Sequence, residues 1–194
     1  MPISKVYFFP ASKISVEEAK EYISESITNI SAWDLKIKLY LSDISHQKTE
    51  KENKIWNSDT KNYYLSKTSC FPSKNFVICG NSILTGDEKL EQLIEKTKAL
   101  YIFRHQVSVE GITCDIGNDL QVRIGSVSSS SSTAGLVIEF CHQAINDIIG
   151  YKSFEKTIYQ KYKELFDLNL AKTLELSEGE RNLAENLNKM ADKL

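Results

Sequence analysis

What this chain of 194 residues lacks narrows its functions. It lacks an excess of positive charge: 24 Lys and Arg stand against 26 Asp and Glu, a net charge of -2. Nucleic-acid binding draws most of its affinity from neutralised phosphates, so direct binding of DNA or RNA is disfavoured. It lacks paired cysteines: Cys70, Cys79, Cys114 and Cys141 are widely spaced, with no C-x-x-C among them. In a chain long enough to fold without staples, they read as buried free thiols in a reducing compartment. It also lacks a long apolar run. Met1-Pro2-Ile3-Ser4-Lys5 leads into a short one broken by Pro10, too brief for a signal segment or a spanning helix, so neither secretion nor a membrane partner is expected.

Chemical motifs are missing too. No G-x-S-x-G turn occurs, so the many serines have no catalytic frame. His46, His105 and His142 have no partner at i,i+4 and no cysteine at metal spacing. Asp115, Asn118 and Asp119 lack the alternation of a calcium loop, and the twelfth position from Asp115 is Ser126 rather than Glu, so a hairpin turn explains them better. No glycine cradle for a nucleotide is present. Neither metal nor cofactor is expected, and catalysis has no basis in the sequence.

One enzymatic alternative is sharp enough to test. A barrel holds a catalytic cation when carboxylates alternate along its strands, because a period of two points them into one lumen. The Glu-x-Glu pairs here, Glu50 with Glu52 and Glu178 with Glu180, fall in a charged loop and at a helix start. On strand-like stretches Glu110 and Glu139 stand singly, so a barrel-fold, metal-dependent phosphohydrolase requires both to converge inside the lumen.

What is present is patterned apolar sequence. Val6-Tyr7-Phe8-Phe9, ended by Pro10, suits a first strand. Ser15 and Glu18 have capping-box spacing, and Val16, Ala19, Ile23, Ile27 and Ile30 recur at helical intervals, predicting a helix over 15–31. From Leu35 the pattern alternates, with Leu35, Ile37, Leu39 and Leu41 on one face and Lys36, Lys38 and Tyr40 on the other. Residues 42–61 are almost wholly polar and read as a long loop, with Trp56 its one large anchor.

Short strands are expected at 63–68, 75–79 and 82–84, then a helix over 86–99 opened by a Thr85/Glu88 capping box. The stretches 107–116 and 120–127 flank Gly117-Asn118-Asp119, the clearest hairpin signal. A serine run, 128–132, reads as a flexible loop leading to a strand over 135–141. After Gly150 the period becomes helical: Phe154, Ile158, Tyr162 and Leu165 make one stripe, and Leu183, Leu187, Met190 and Leu194 another, with a Ser177/Glu180 capping box between them.

About eight strands with antiparallel links and no βαβ alternation predict an α+β fold. Its antiparallel, barrel-like sheet closes or nearly closes, with flanking helices and a helical C-terminus. A single domain is expected over 1–194, with the barrel core at about 1–145 and the C-terminal helices at about 150–194.

For binding, Tyr63 and Tyr64 are consecutive on a strand, so they point to opposite faces and only one enters the core. The other, with Phe71 and Trp56, is a candidate for a partner interface.

At this point the ordered set of motifs resembles a known family. Lys61-Asn62-Tyr63-Tyr64-Leu65, Phe76-Val77-Ile78, a helix ending at Leu100, Val109-Glu110-Gly111-Ile112, Gly117 to Val127 and Gly135-Leu136-Val137-Ile138-Glu139-Phe140 resemble Mediator complex subunit 20 in order and spacing. An opening strand, a helix and Trp33 ahead of a strand are similar as well, so the likeness runs to about Phe140. The helices after Gly150 match less clearly, and Gln121-Val122-Arg123 departs from the family's detail. The resemblance implies a barrel related to that of Mediator subunit 18 and a heterodimer with that subunit in the head module. It also implies subunit 8 and other head subunits nearby, and a nuclear, non-catalytic coactivator role that relays regulatory signals to the RNA polymerase II machinery.

Overall fold

The computed structural model describes residues 3–10, 14–24, 27–42, 62–80, 82–97, 100–129, 132–145, 148–169 and 172–173. Along the chain run β1 (Ile3–Pro10), α1 (Val16–Glu21), β2 (Ile27–Ser42), β3 (Asn62–Thr68), β4 (Asn75–Cys79), β5 (Ser82–Gly86) and α2 (Lys89–Lys96). Then come β6 (Tyr101–Ile116), β7 (Leu120–Ser129), β8 (Ser132–His142), α3 (Ile148–Lys161), α4 (Lys163–Asn169) and a two-residue β9 (Lys172–Thr173). The strands form one antiparallel sheet in the order β5-β4-β3-β2-β6-β7-β8-β1-β9. This is the expected α+β class: a strand-rich body of eight full strands with helices flanking and following it.

The sheet curls. Its inner face carries Val6 and Phe8 from β1, Trp33, Leu35, Ile37 and Leu39 from β2, Tyr64 from β3, Ile78 from β4, and valines of β6, β7 and β8, all buried in one cluster. Among the described residues no helical one belongs to that cluster; strands of the sheet bury this face against one another, as in a barrel. Closure is not complete: among the described residues no ladder joins β5 to β9, and the two remain sheet edges.

The outer face is covered in two places. Over β1, β7 and β8 lie Ala19 of α1 and Ile23 of the turn after it, with Phe154 and Ile158 of α3, Tyr162 at the joint, and Leu165 and Phe166 of α4, so the predicted stripe after Gly150 is the docking face. Phe140 stacks on Tyr162 with ring centroids 5.2 Å apart. Over β2, β3 and β4, α2 sets Ile94 on Tyr40, Leu65 and Val77. Tyr40, assigned by alternation to the polar face, is therefore buried under a helix, just beyond a register shift between Leu39 and Tyr40.

Several boundaries differ from expectation. The Ser15 capping box forms, with Glu18 N–H donating to Ser15 Oγ and Ser15 N–H to the Glu18 carboxylate, but the helix stops at Glu21. Ile27 and Ile30 belong to β2 and pair with Ile116 and Cys114. Isoleucine spacing suits either state, and a long partner strand decided it. Thr85 lies in β5 and caps nothing; Asp87 Oδ1 instead accepts from Lys89 N–H at the start of α2.

The serine run is strand rather than loop where it is described, since Ser128 and Ser129 pair with Thr133 and Ser132. The Gly117 turn is confirmed at φ 61°. Expectations for Trp56, His46 and the rest of 43–61, and for the Ser177 cap and Leu183 stripe, lie outside the described residues.

Candidate interaction surface

The two tyrosines divide as their positions require. Tyr64 lies in the inner core, whereas Tyr63 faces outward and is half-covered by Tyr101, ring centroids 5.1 Å apart and nearly perpendicular. Burial raises the Tyr63 phenol above its ordinary pKa, with Cys79 beside it adding to the shift. Phe71, in the turn between β3 and β4, is exposed and touches only the edge of Phe76 and the Lys74 ammonium among the ring contacts of the described residues.

Glu110 and Glu139 do not converge. Glu110 follows the inward Val109, points outward and is exposed. Glu139 is buried on the inner face, where its Oε2 lies 2.6 Å from Arg123 Nη1. Arg123 Nη2 donates to Gln121, Gln121 Nε2 to Asp115 at 2.9 Å, and Asn29 Nδ2 to the other Asp115 oxygen at 3.1 Å. These groups therefore form a chain of ion pair and amides across β8, β7, β6 and β2.

Burial lowers the tendency of Arg123 to hold its proton, but the Glu139 charge more than offsets this and its pKa is raised. On the same face Cys141 is pushed up to about 11, first by burial and then by the Glu139 carboxylate. Among the described residues no group of three or more His, Cys, Asp and Glu is placed to hold a metal. The two-carboxylate metal site fails on geometry, because its members sit on opposite faces of the sheet.

Apolar side chains left in solvent are the clearer signal. β6 pairs with β2 from Tyr101 onward but with β7 only from Val107. Its first residues thus overhang the sheet, with one backbone edge unpaired among the described residues. Leu100, Ile102 and Phe103 are exposed there, Phe103 at 52%, resting edge-on against Tyr40. At the other edge β5 exposes Ile83 and Leu84, with Leu93 of α2 exposed at 60%.

None of these was singled out from sequence. Ile102 and Phe103 precede the alternating stretch from Val107, and a run of apolar residues gives no sign of which ladder stops short. Leu93 falls inside the helix predicted over 86–99, where neighbouring Leu90 and Ile94 are apolar too; only Ile94 is buried.

The family model described as TATA-binding related factor (TRF) of subunit 20 of Mediator complex matches residues 1–193. The chain belongs to the Mediator subunit 20 family. That places this family member among the proteins of the Mediator complex and of transcription. No curated protein sequence matches it.

Solved structures similar to this subunit 20 family member include a chain of the Schizosaccharomyces pombe Mediator head module, at 15% identity and a TM-score of 0.37 over 86% of this chain and 94% of that one. Others are the PH1012 protein of Pyrococcus horikoshii OT3, at 10% identity, TM-score 0.46, and 84% and 90% coverage, and HpAC1 of Hippeastrum, a putative adenylyl cyclase with a dominant triphosphatase activity, at 9%, 0.46, and 84% and 88%. At TM-scores below 0.5 these overlaps carry no residue role across. No helix among the described residues is long and apolar enough to cross a membrane.

Proposed function

We propose that this chain is a structural, non-catalytic subunit of the Mediator head module. It pairs directly with Mediator subunit 18, lies beside subunit 8, and relays regulatory signals to RNA polymerase II in the nucleus. The observation that carries the pairing is the overhang of β6: Ile102 and Phe103 are exposed on a strand whose backbone edge has no partner among the described residues. Exposed apolar side chains on an open edge suit a stable protein contact and are a hazard to a lone chain. Phe71, exposed at the β3–β4 turn, stays a second contact candidate, and Tyr63 a lesser one because Tyr101 already covers it. Trp56 is a third.

Co-expression with subunit 18, followed by size exclusion with light scattering, tests this. A one-to-one complex is expected that persists in moderate salt and is lost in Ile102→Glu/Phe103→Ser, with the fold of the variant checked by circular dichroism. A wild-type chain that stays monomeric beside subunit 18 ends the pairing, and a complex that the variant forms equally well moves the contact elsewhere on the sheet.

A further inference from the structure

Between the part of the outer face under α2 and the part under α1, α3 and α4, a strip of β2 is left bare. Ile30, Ala32, Asp34 and Lys36 point outward from it and are all exposed, while the intervening Trp33, Leu35 and Ile37 fill the inner core. Its charges are arranged against the usual rule. Asp34 stands directly opposite Glu110 on β6, and Lys36 directly opposite Lys67 on β3. Like charges facing each other across a ladder are destabilising, and none of the four takes part in an ion pair among the described residues. By contrast the next outward lysine, Lys38, is held by Glu91 and Glu95 of α2 at 2.6 and 3.0 Å. Where this sheet meets its own helix, the charges are matched; on the bare strip they come as two unmatched rungs of opposite sign.

We infer that this strip is the seat of a helix from another head-module subunit, one that lays an apolar residue on Ile30 and Ala32, a base on Asp34 and Glu110, and an acid on Lys36 and Lys67. Outward residues of a strand repeat about every 6.7 Å, and one face of a helix repeats about every 6 Å at i,i+4. The occupant therefore reads apolar, base, acid at four-residue spacing, in either chain direction. Charge complementarity selects it: a helix with the two charges exchanged places acid on Asp34 and Glu110 and is repelled. Each rung supplies a doubled field for one partner charge, which favours specificity over raw affinity. The inference rests on membership of the head module and concerns a surface separate from the β6 overhang.

The test is a photo-cross-linking residue at Ala32, which is exposed and small, in this chain assembled with the recombinant head subunits. The expected result is a cross-link to one helical peptide with the apolar, base, acid spacing. Its yield should fall at least fivefold in Lys36→Glu/Lys67→Glu, and in Asp34→Lys/Glu110→Lys, while the chain stays in the complex. These substitutions touch only exposed side chains, but each sets four like charges side by side, so circular dichroism and the presence of the chain in the complex check that the variant is folded before its yield is read. Incorporation without a cross-link, a cross-linked peptide lacking the charge spacing, or a yield indifferent to both reversals overturns the inference. A chain that does not enter the complex at all fails the head-module reading itself, and the inference with it.

Discussion

Arg123 and Glu139 face each other across the β7–β8 ladder inside the curl, Nη1 to Oε2 at 2.6 Å, with only 13% and 3% of their side chains exposed. Two charges taken out of water are held by each other and by the amide chain through Gln121. Removing one leaves the other buried without its counter-charge, which costs about 3–5 kcal/mol, whereas replacing both by apolar groups of similar volume is about neutral. Glu139→Ala should therefore lower the urea midpoint severely, and Arg123→Met/Glu139→Leu should recover most of it. Equal losses in the single and double variants would show that the pair is not coupled.

A second pair ties a helix to the sheet. Lys5, buried on the outer face of β1, meets Glu155 of α3 at 2.6 Å. Glu155→Ala should cost about 1–3 kcal/mol, the range for a buried group deprived of a charged hydrogen-bond partner. Amide exchange in α3 should quicken before that in β7. Unchanged exchange in α3 would mean that the apolar stripe alone docks the helix.

Two glycines are matched back to back. A Cβ on Gly111 would overlap the Ile124 carbonyl oxygen and the Gly125 Cα, and one on Gly125 would overlap the Val109 side chain and press tightly on the Trp33 ring. Backbone cannot step aside as a flexible side chain does, so Gly111→Ala should cost about 3 kcal/mol or more. Gly117 has φ 61° but open space for a Cβ, so Gly117→Ala should cost only about 1 kcal/mol. Thermal melts of the two variants give the order; the reverse order would contradict the packing.

The Cys141 thiol carries a pH signature. Its folded pKa of about 11 exceeds its ordinary value of 9.0, so the folded state holds a proton that the unfolded chain releases. The stabilisation is whole below pH 9, falls as pH rises, and is gone above the folded pKa. Denaturation measured between pH 9 and 11 should show a shallower loss of stability in Cys141→Ala than in wild type. At pH 8, Cys141 should also label more slowly than the partly exposed Cys70. Identical slopes would refute the assignment.

What was legible in sequence follows from how local each signal is. The Gly117 turn, the Ser15 cap and the Phe154 stripe are set by residues a few positions apart, and all three stand. The alternation from Leu35 to Leu39 marks the inward face and sets Tyr40 on the opposite one, where it stands; that this opposite face is buried at Tyr40 was not legible, because the cover comes from α2, some fifty residues on. Glu139 was visible as a lone strand carboxylate; its partner Arg123 lies on a neighbouring strand, sixteen residues back, and no period in the sequence joins them. The overhang of β6 is hidden for the same reason: it depends on where β7 ends, not on the residues of β6.

The pairing of β1 with β8 joins residues 3–10 to residues 135–142. During synthesis the strand Val6-Tyr7-Phe8-Phe9, among the most apolar in the chain, is made well before either of its partners, β8 and β9. A contact of such long range slows folding, because the loop between must be closed before the ladder repays it. Until β8 leaves the ribosome, that aromatic strand has no ladder in its own chain, a window in which chaperones, or aggregation, compete for it.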